Sequence, residues 1–482
     1  MRRQYISKII GILLIFLGFS MIFPLLCSLL YQDGTLMAYL ISMAITIFSG
    51  SALYMVARRT RIEYISPREG MAIVALSWTL IGLFGALPFY FGDACPAFTD
   101  AFFESVSGFT TTGSSILTNI EGVSKSLLFW RSLIQWLGGM GIIVLSLAIL
   151  PFLGVGGMQL FKAEVPSPVP DKLSPRLTDS AKILWYVYIL ISVLQVILLL
   201  FGGMSFYDSL CHTLTTMPTG GFSTKNSSVS HYNSAYIDYV IVIFMILAGI
   251  NFSLHYQMLR GKTLIFWRDS ECRFFLLLCL GCSIIIAFNI YGSVYDTAGK
   301  AFQYASFQVV SLITTTGYAT ADYEQWPGLS QILLFICMFI GASAGSTGGG
   351  MKCARIMVAF KYCYRELFSL VHPRSVSQIK MNGAVVPFHV VRSIMGFLAL
   401  YIGIFIICSI LVAAMGTDMI TAFSAVAACI GNIGPGFGDV GPVDNFSAMP
   451  AATKWLLSWC MLLGRLEIYT VIILFVPEFW KK

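Results

Sequence analysis

The stretch Asp100-Ala-Phe-Phe-Glu104-Ser-Val-Ser-Gly108-Phe-Thr110-Thr111-Thr112-Gly113 is half apolar, too short to cross a bilayer, and closed by three threonines and a glycine. Three further stretches repeat its plan. One runs from Asp208 through Thr215-Thr216-Met217-Pro218-Thr219-Gly220-Gly221, with Asp208 as far before Gly221 as Asp100 is before Gly113. Another ends Thr314-Thr315-Thr316-Gly317-Tyr318, and the last ends Cys429-Ile430-Gly431-Asn432-Ile433-Gly434-Pro435-Gly436. The closing glycines recur roughly every hundred residues, so a fixed-order internal repeat governs the fold.

Long apolar runs flank every copy. Of 482 residues, 57% are apolar and 11% charged, where a soluble domain carries about 25% charged residues. Mean hydropathy is +0.80, which excludes a soluble enzyme, a disordered chain and a disulfide scaffold. Ile9–Tyr31, Met37–Val56, Met71–Phe91, Leu127–Leu150, 183–203, 236–259, 273–291, 328–360 (interrupted), 388–415 and 451–476 are each long enough to span a membrane. The first run is too long for a signal peptide and lacks a small-residue cleavage site, so it reads as a retained helix. The shorter stretches 100–110, 208–217, 303–313 and 418–430 read as re-entrant.

The expected fold is an all-α polytopic membrane protein with ten transmembrane helices and four re-entrant pore helices in a pseudo-fourfold pore. Two N-terminal helices (1–68) precede pore repeats at 69–157, 158–262, 263–372 and 373–482. All but six lysines and arginines (Lys125, Arg131, Lys225, Lys300, Lys454 and Arg465) fall on one side of this arrangement. That side is therefore cytoplasmic and holds both termini, and the four stretches dip in from outside. No basic–aromatic interleaving points to nucleic acid. The twelve cysteines are scattered, and Cys279 and Cys282 have CxxC spacing without a second pair or a nearby histidine, so they read as packing residues.

Non-helical backbone at membrane depth is tolerated only where it is buried or lines a wet cavity. Helices running inward would aim their negative C-terminal ends at the centre. Glycine backbone can then line up carbonyl oxygens that replace the hydration shell of a cation. The candidate cation ligands are Thr111, Thr112, Gly113, Thr219, Gly220, Gly221, Thr315, Thr316, Gly317, Asn432, Ile433 and Gly434. Thr315-Thr316-Gly317-Tyr318 differs by one residue from the Thr-Val-Gly-Tyr core of tetrameric K⁺ channel filters. The alternative for each cluster alone is close helix packing through small residues, which four matched copies argue against.

Span 328–360 carries ten consecutive small residues from Gly341 to Gly350, five of them glycine, and should not stay helical. Its residues Gly345, Ser346, Thr347, Gly348, Gly349 and Gly350 are expected to form a gate below the third loop. Arg465 lies deep in the last span, where a charge faces the interior and is functional by default. It joins the gate as a barrier to cations, with a structural ion pair to Glu467 as the alternative. Asp93, Asp100, Glu104, Glu121, Asp208, Asp322, Glu324, Asp439 and Asp444 are expected around the outer mouth as a weak cation-concentrating field, with Asp100 and Asp208 as alternative helix caps.

The four strings, with Gly138-Gly-Met-Gly-Ile-Ile-Val-Leu, Leu150-Pro-Phe-Leu-Gly-Val-Gly-Gly-Met-Gln-Leu, Gly345-Ser-Thr-Gly-Gly-Gly-Met-Lys352 and Gly464-Arg-Leu-Glu467, resemble the Trk/Ktr/HKT superfamily of cation transporters. Within it the chain looks like the TrkH/TrkG branch of bacterial potassium-uptake subunits over essentially its whole length. The resemblance implies K⁺ as the transported ion, no organic cofactor, a homodimer in the lipid of the bacterial inner membrane, and gating by a cytoplasmic TrkA-like nucleotide-binding ring. Pro218, Thr219 and Tyr318 depart from the branch's usual residues. No nucleotide-phosphate loop is present, so nucleotide control would come from that partner. A Na⁺-selective, K⁺/Na⁺ or K⁺/H⁺ symporting relative is the alternative. A serine in place of a closing glycine would favour it, and all four positions are glycine. Paired catalytic groups at depth, which an intramembrane enzyme would need, are not evident.

Overall fold

The computed structural model describes residues 3–60, 66–141, 177–375 and 377–480. The expected boundary near 157 lies outside the described residues. Helices α1 (Arg3–Ser20) and α2 (Ile22–Tyr31) form one long N-terminal rod, against which α3 (Leu36–Val56) packs. Gly11 and Gly50 let these rods touch, since a Cβ on either would stand under 3 Å from the opposite backbone.

Four units follow. The first comprises α4 (Pro67–Gly85), α5 (Leu87–Phe91), the short α6 (Phe98–Phe109) and α7 (Lys125–Gly139). The second comprises α8 (Leu177–Phe201), the short α9 (Phe206–Thr216) and the pair α10 (Ala235–Gly249) and α11 (Phe252–Leu259). The third comprises α12 (Ser270–Ile290), α13 (Ala298–Ile313), α14 (Gly328–Cys337) and α15 (Cys353–Val371). The last comprises α16 (Phe388–Ala414), α17 (Met419–Gly431), α18 (Ala451–Arg465) and α19 (Ile468–Ile472).

In every unit the short helix packs on both the long helix before it and the helix after it. Units also interlock in order: α6 packs on α18, α9 on α7, and α13 on α10. The short helices are the most enclosed elements, with 101–109, 305–313 and 421–431 almost wholly buried. Local signals set their starts. Ser205 caps α9, Asp418 caps α17, and Asn251 caps α11, each accepting a backbone N–H of the first turn. Asp100 and Asp208 are therefore not caps: they sit in the first turn, where a carboxylate favours the helix dipole.

Among the described residues six helices are long and apolar enough to cross a membrane, or eight if each sharply bent pair counts as one span. The straight spans expected at 236–259 and 451–476 are corrected to helices that bend by 100° after Gly249 and by 118° after Arg465. Neither bend needs proline. Asn251 starts a new helix with its own cap, and Glu467 takes a left-handed φ of 60°. The interrupted span breaks as expected, but over 338–352, with α15 running on to Val371. Part of the expected span Leu127–Leu150 lies outside the described residues.

At the first helical hairpin, the Asp33 carboxylate gathers N–H and O–H donors from Ser126, Ser28 and Thr35. Burial by itself would raise this carboxyl, but those hydrogen bonds outweigh it and hold it at about 2. Ser126 lies in the first turn of α7, so Asp33 ties the N-terminal rods to the first unit.

Candidate functional site

Beyond each short helix the backbone turns the same way. Thr111, Thr219, Thr315 and Asn432 are left-handed at φ 55°, 57°, 59° and 54°. Gly113, Gly221, Gly317 and Gly434, two residues on, are left-handed at 84°, 75°, 80° and 109°, whereas the residue between is not. Alternating handedness turns successive peptide planes alike, which suits a column of carbonyls. The amides point backward. The N–H groups of Thr112, Gly220, Thr316 and Ile433 donate to Ser107, Thr215, Ser311 and Ala428, each five residues earlier, at 2.8–2.9 Å. The helix ends are thereby satisfied and the loop carbonyls stay free of them.

The four loops close a ring. A Cβ on Gly113 would stand 2.2 Å from the Gly220 carbonyl oxygen, and one on Gly221 1.8 Å from that of Thr316. A Cβ on Gly317 would stand 1.8 Å from the Ile433 oxygen, and one on Gly434 2.9 Å from the Thr112 oxygen. Each glycine thus faces the carbonyl of the next loop, and the last faces the first. Glycine is required twice over, by its φ and by its neighbour. The ring brings together all twelve residues expected from the sequence.

Side chains bind loop to loop. Ser114 donates to the Gly434 carbonyl at 3.0 Å, and the Asn432 amide donates to the Thr112 hydroxyl at 2.9 Å. The Tyr318 hydroxyl donates to the His212 carbonyl at 3.0 Å and meets the Thr215 and Thr216 hydroxyls, so its polar end is satisfied at the end of α9. The Thr111 hydroxyl and the Asn432 amide oxygen, both buried, have no hydrogen-bond partner among the described residues.

The small-residue segment lies against this ring. The Gly349 N–H donates to the Thr315 hydroxyl at 2.6 Å, and the Thr347 hydroxyl bonds to the Met217 carbonyl at 3.0 Å. Gly345 accepts from the Phe252 N–H at 3.1 Å and is left-handed at φ 75°, as is Gly350 at 63°. The Ser346 hydroxyl folds back on Ser343 at 2.6 Å, while Gly348 accepts the Lys352 ammonium and a Cβ on it would stand 3.1 Å from the Thr314 carbonyl oxygen. One Glu271 oxygen holds both sides of the segment, accepting from the N–H groups of Ala344 at 2.7 Å and Ala354 at 2.9 Å.

Arg465 reaches the same place. Its guanidinium donates to the Thr347 carbonyl at 2.8 Å and to those of Gly138 and Gly139 at 2.7 and 2.8 Å. The ion pair to Glu467 is not formed: Glu467 pairs with Arg355 at 2.5 Å. Residues two apart on a helix face apart, and the bend at Glu467 carries its carboxylate toward α15.

The expected acidic mouth is thinner than the sequence suggests. Glu104 is fully buried and pairs with Arg131 at 2.6 Å, while Arg131 also donates to the Ser223 carbonyl at 2.9 Å and stacks on Phe222. Asp100 pairs with Lys454 at 2.7 Å, Asp208 takes the Ser205 and Thr224 hydroxyls, and Glu324 accepts the Gly438 N–H. Burial raises the Glu324 carboxyl, with nearby Asp322, Asp444 and Asp439 adding to it. Asp93, Glu121, Asp439 and Asp444 are exposed. Glu104, expected at the mouth, lies behind the ring with Arg131 and Gln135, and their roles were not read because nothing in their local sequence marks them as partners of residues up to 92 positions away. Among the described residues no cluster of histidine, cysteine and acids could hold a metal ion.

This architecture and the whole sequence have close counterparts. The family model for TrkH, a cation transport protein, matches residues 35–482. A TrkH of Salmonella typhimurium, a Trk system potassium uptake protein, is 43% identical over 490 aligned residues that cover all of both chains. The Trk system potassium uptake protein TrkG of Escherichia coli is 35% identical over 483 residues, covering 99% of each. The crystal structure of the potassium transporter TrkH from Vibrio parahaemolyticus superimposes with a TM-score of 0.90 at 37% identity, covering all of both chains. With ring, loop and breaks arranged as described and these matches spanning the chain, the protein belongs to the TrkH family, a family of cation transporters rather than enzymes.

Proposed function

We propose that this chain is the pore-forming subunit of a potassium uptake system, passing K⁺ inward across the bacterial inner membrane. Its ten transmembrane helices and four pore helices build one pseudo-fourfold pore from the repeats at 69–157, 158–262, 263–372 and 373–482, with both termini cytoplasmic. The carbonyls at 111–113, 219–221, 315–317 and 432–434 replace the ion's water shell. The single observation that carries this is the closed ring, in which each closing glycine abuts the carbonyl of the next loop. Left-handed backbone at matched positions of four loops is costly for threonine and asparagine, and a ring of oxygens around an ion is a use that repays it. The potassium uptake named for the Salmonella and Escherichia relatives gives the ion.

Residues 345–350 and Arg465 close the inner end. A guanidinium beside the path repels a cation and pins the Thr347 carbonyl. The membrane potential drives entry by about 2.3 kcal/mol per 100 mV. Control by nucleotide falls to a TrkA-like cytoplasmic ring acting on a homodimer. Purified protein in liposomes tests the ion: Rb⁺ influx should far exceed Na⁺ influx. Equal rates, or Rb⁺ entry that requires Na⁺, would favour a symporting relative.

A further inference from the structure

Three of the four loops carry a side chain at the middle ring position (Thr112, Thr316 and Ile433), whereas the second carries Gly220. Its φ is not left-handed, so the backbone does not demand glycine there. Space does. A Cβ on Gly220 would lie 2.4 Å from the Cδ of Gln135, a fully buried residue of α7 in the preceding unit. The Gln135 amide donates to the Gly220 carbonyl at 2.7 Å and accepts the Phe222 N–H at 3.2 Å. Only one amide orientation satisfies both bonds, so the donor faces the ring carbonyl. Arg131, one turn earlier on the same face of α7, holds the Ser223 carbonyl at 2.9 Å and thereby fixes the strand just beyond.

We propose that Gln135 is a specificity-determining positioning residue: a side chain lent by α7 that fills the vacant middle position of the second loop and sets the Gly220 carbonyl. Gly220 is one of the twelve ring residues, so its oxygen is shared between the passing ion and a buried amide donor. A donor on a carbonyl draws density from it and fixes its direction, and among the described residues no donor meets the matching carbonyls of Thr112, Thr316 and Ile433, so at the middle position this loop offers a weaker and stiffer ligand than the other three. Discrimination between ions of different size depends on the number and field of such ligands. The second loop thereby tunes the ring. This inference rests on the proposed reading of the ring as the site of ion selection.

The test measures Rb⁺ and Na⁺ flux per folded protein in liposomes, with detergent melting curves alongside. Gln135→Met keeps the volume and removes both hydrogen bonds, and its Rb⁺/Na⁺ ratio should fall roughly tenfold, the equivalent of one buried hydrogen bond. Gly220→Thr alone should misfold or lose selectivity, because its Cβ meets Gln135 at 2.4 Å. Combined with Gln135→Ala it rebuilds a Thr-Thr-Gly loop, and the ratio should recover at least half of the loss. A folded Gln135→Met with a wild-type ratio, or a double variant no better than Gly220→Thr, would overturn the inference. Gly113→Ser on another loop separates the two levels. If it lowers the ratio while Gln135→Met does not, the Gln135 role alone fails. If neither moves the ratio, the ring reading falls with it.

Discussion

Replacing Arg465 with alanine removes the guanidinium that donates to Thr347 at 2.8 Å and to Gly138 and Gly139 at 2.7 and 2.8 Å. Of these three bonds, the one to Thr347 touches the small-residue segment and biases it toward the closed arrangement. A hydrogen bond from a charged donor contributes about 1.5–3 kcal/mol. Its loss should raise the open-to-closed ratio by roughly 10- to 150-fold. Removing the positive charge beside the path lowers the barrier further. The variant strands no carboxylate on Glu467, which keeps Arg355 at 2.5 Å. It also removes the Arg465 donor from the Gly139 carbonyl, a cost to folding of about 1–3 kcal/mol, whereas the Gly138 carbonyl keeps the Gly141 N–H at 3.2 Å. Rb⁺ influx per folded protein should therefore rise strongly while the melting temperature falls by several degrees. Arg465→Lys, which keeps the charge but not the fork of donors, should lie between. Unchanged or slower influx in folded Arg465→Ala would refute the closing role.

Gly113→Ser puts a side chain 2.2 Å from the Gly220 oxygen at a left-handed φ of 84°, and should lower the Rb⁺/Na⁺ flux ratio at least tenfold. An unchanged ratio counts against ion selection at the ring. Deleting Ala344–Gly348 removes the contacts to Phe252, Met217 and Arg465 and should raise influx in the absence of any partner protein, and a folded but silent deletion would favour a packing role. Asp33→Asn should lower the melting temperature at pH 7. Because the Asp33 carboxyl is held at about 2 in the folded protein against about 4 in an unfolded chain, its contribution is complete above pH 4 and is lost as pH falls through 2. Melts of both proteins should therefore converge near pH 2, and a gap that persists there would show that charge is not the cause.

The ring glycines were legible because a left-handed backbone pressed against a neighbouring carbonyl leaves no room for any other residue, and that need recurs at fixed spacing. The short helices were legible from length and apolarity, and their positions agree with those expected to within a few residues, except that α13 begins at Ala298. What stayed hidden was pairing at long range. Arg355 finds Glu467, Glu104 finds Arg131, and Gln135 fills the space at Gly220, and no periodicity in one element encodes a partner in another. The bend at Glu467 was hidden for a different reason. It falls on Glu467, neither glycine nor proline, whose positive φ the local sequence does not favour, so tertiary contact sets it. Four threonine or asparagine residues with the same left-handed φ were likewise invisible, since their strain belongs to the ring and not to the string.

The most direct measurement of ion coordination by the ring is anomalous diffraction from crystals of the intact protein grown in Rb⁺ with K⁺ omitted. The expected result is one or more Rb⁺ peaks on the ring axis, within about 3 Å of carbonyl oxygens from all four loops and diminished in Gly113→Ser. Rb⁺ found only at the exposed acids Asp93, Glu121, Asp439 and Asp444, with an empty ring, would contradict it.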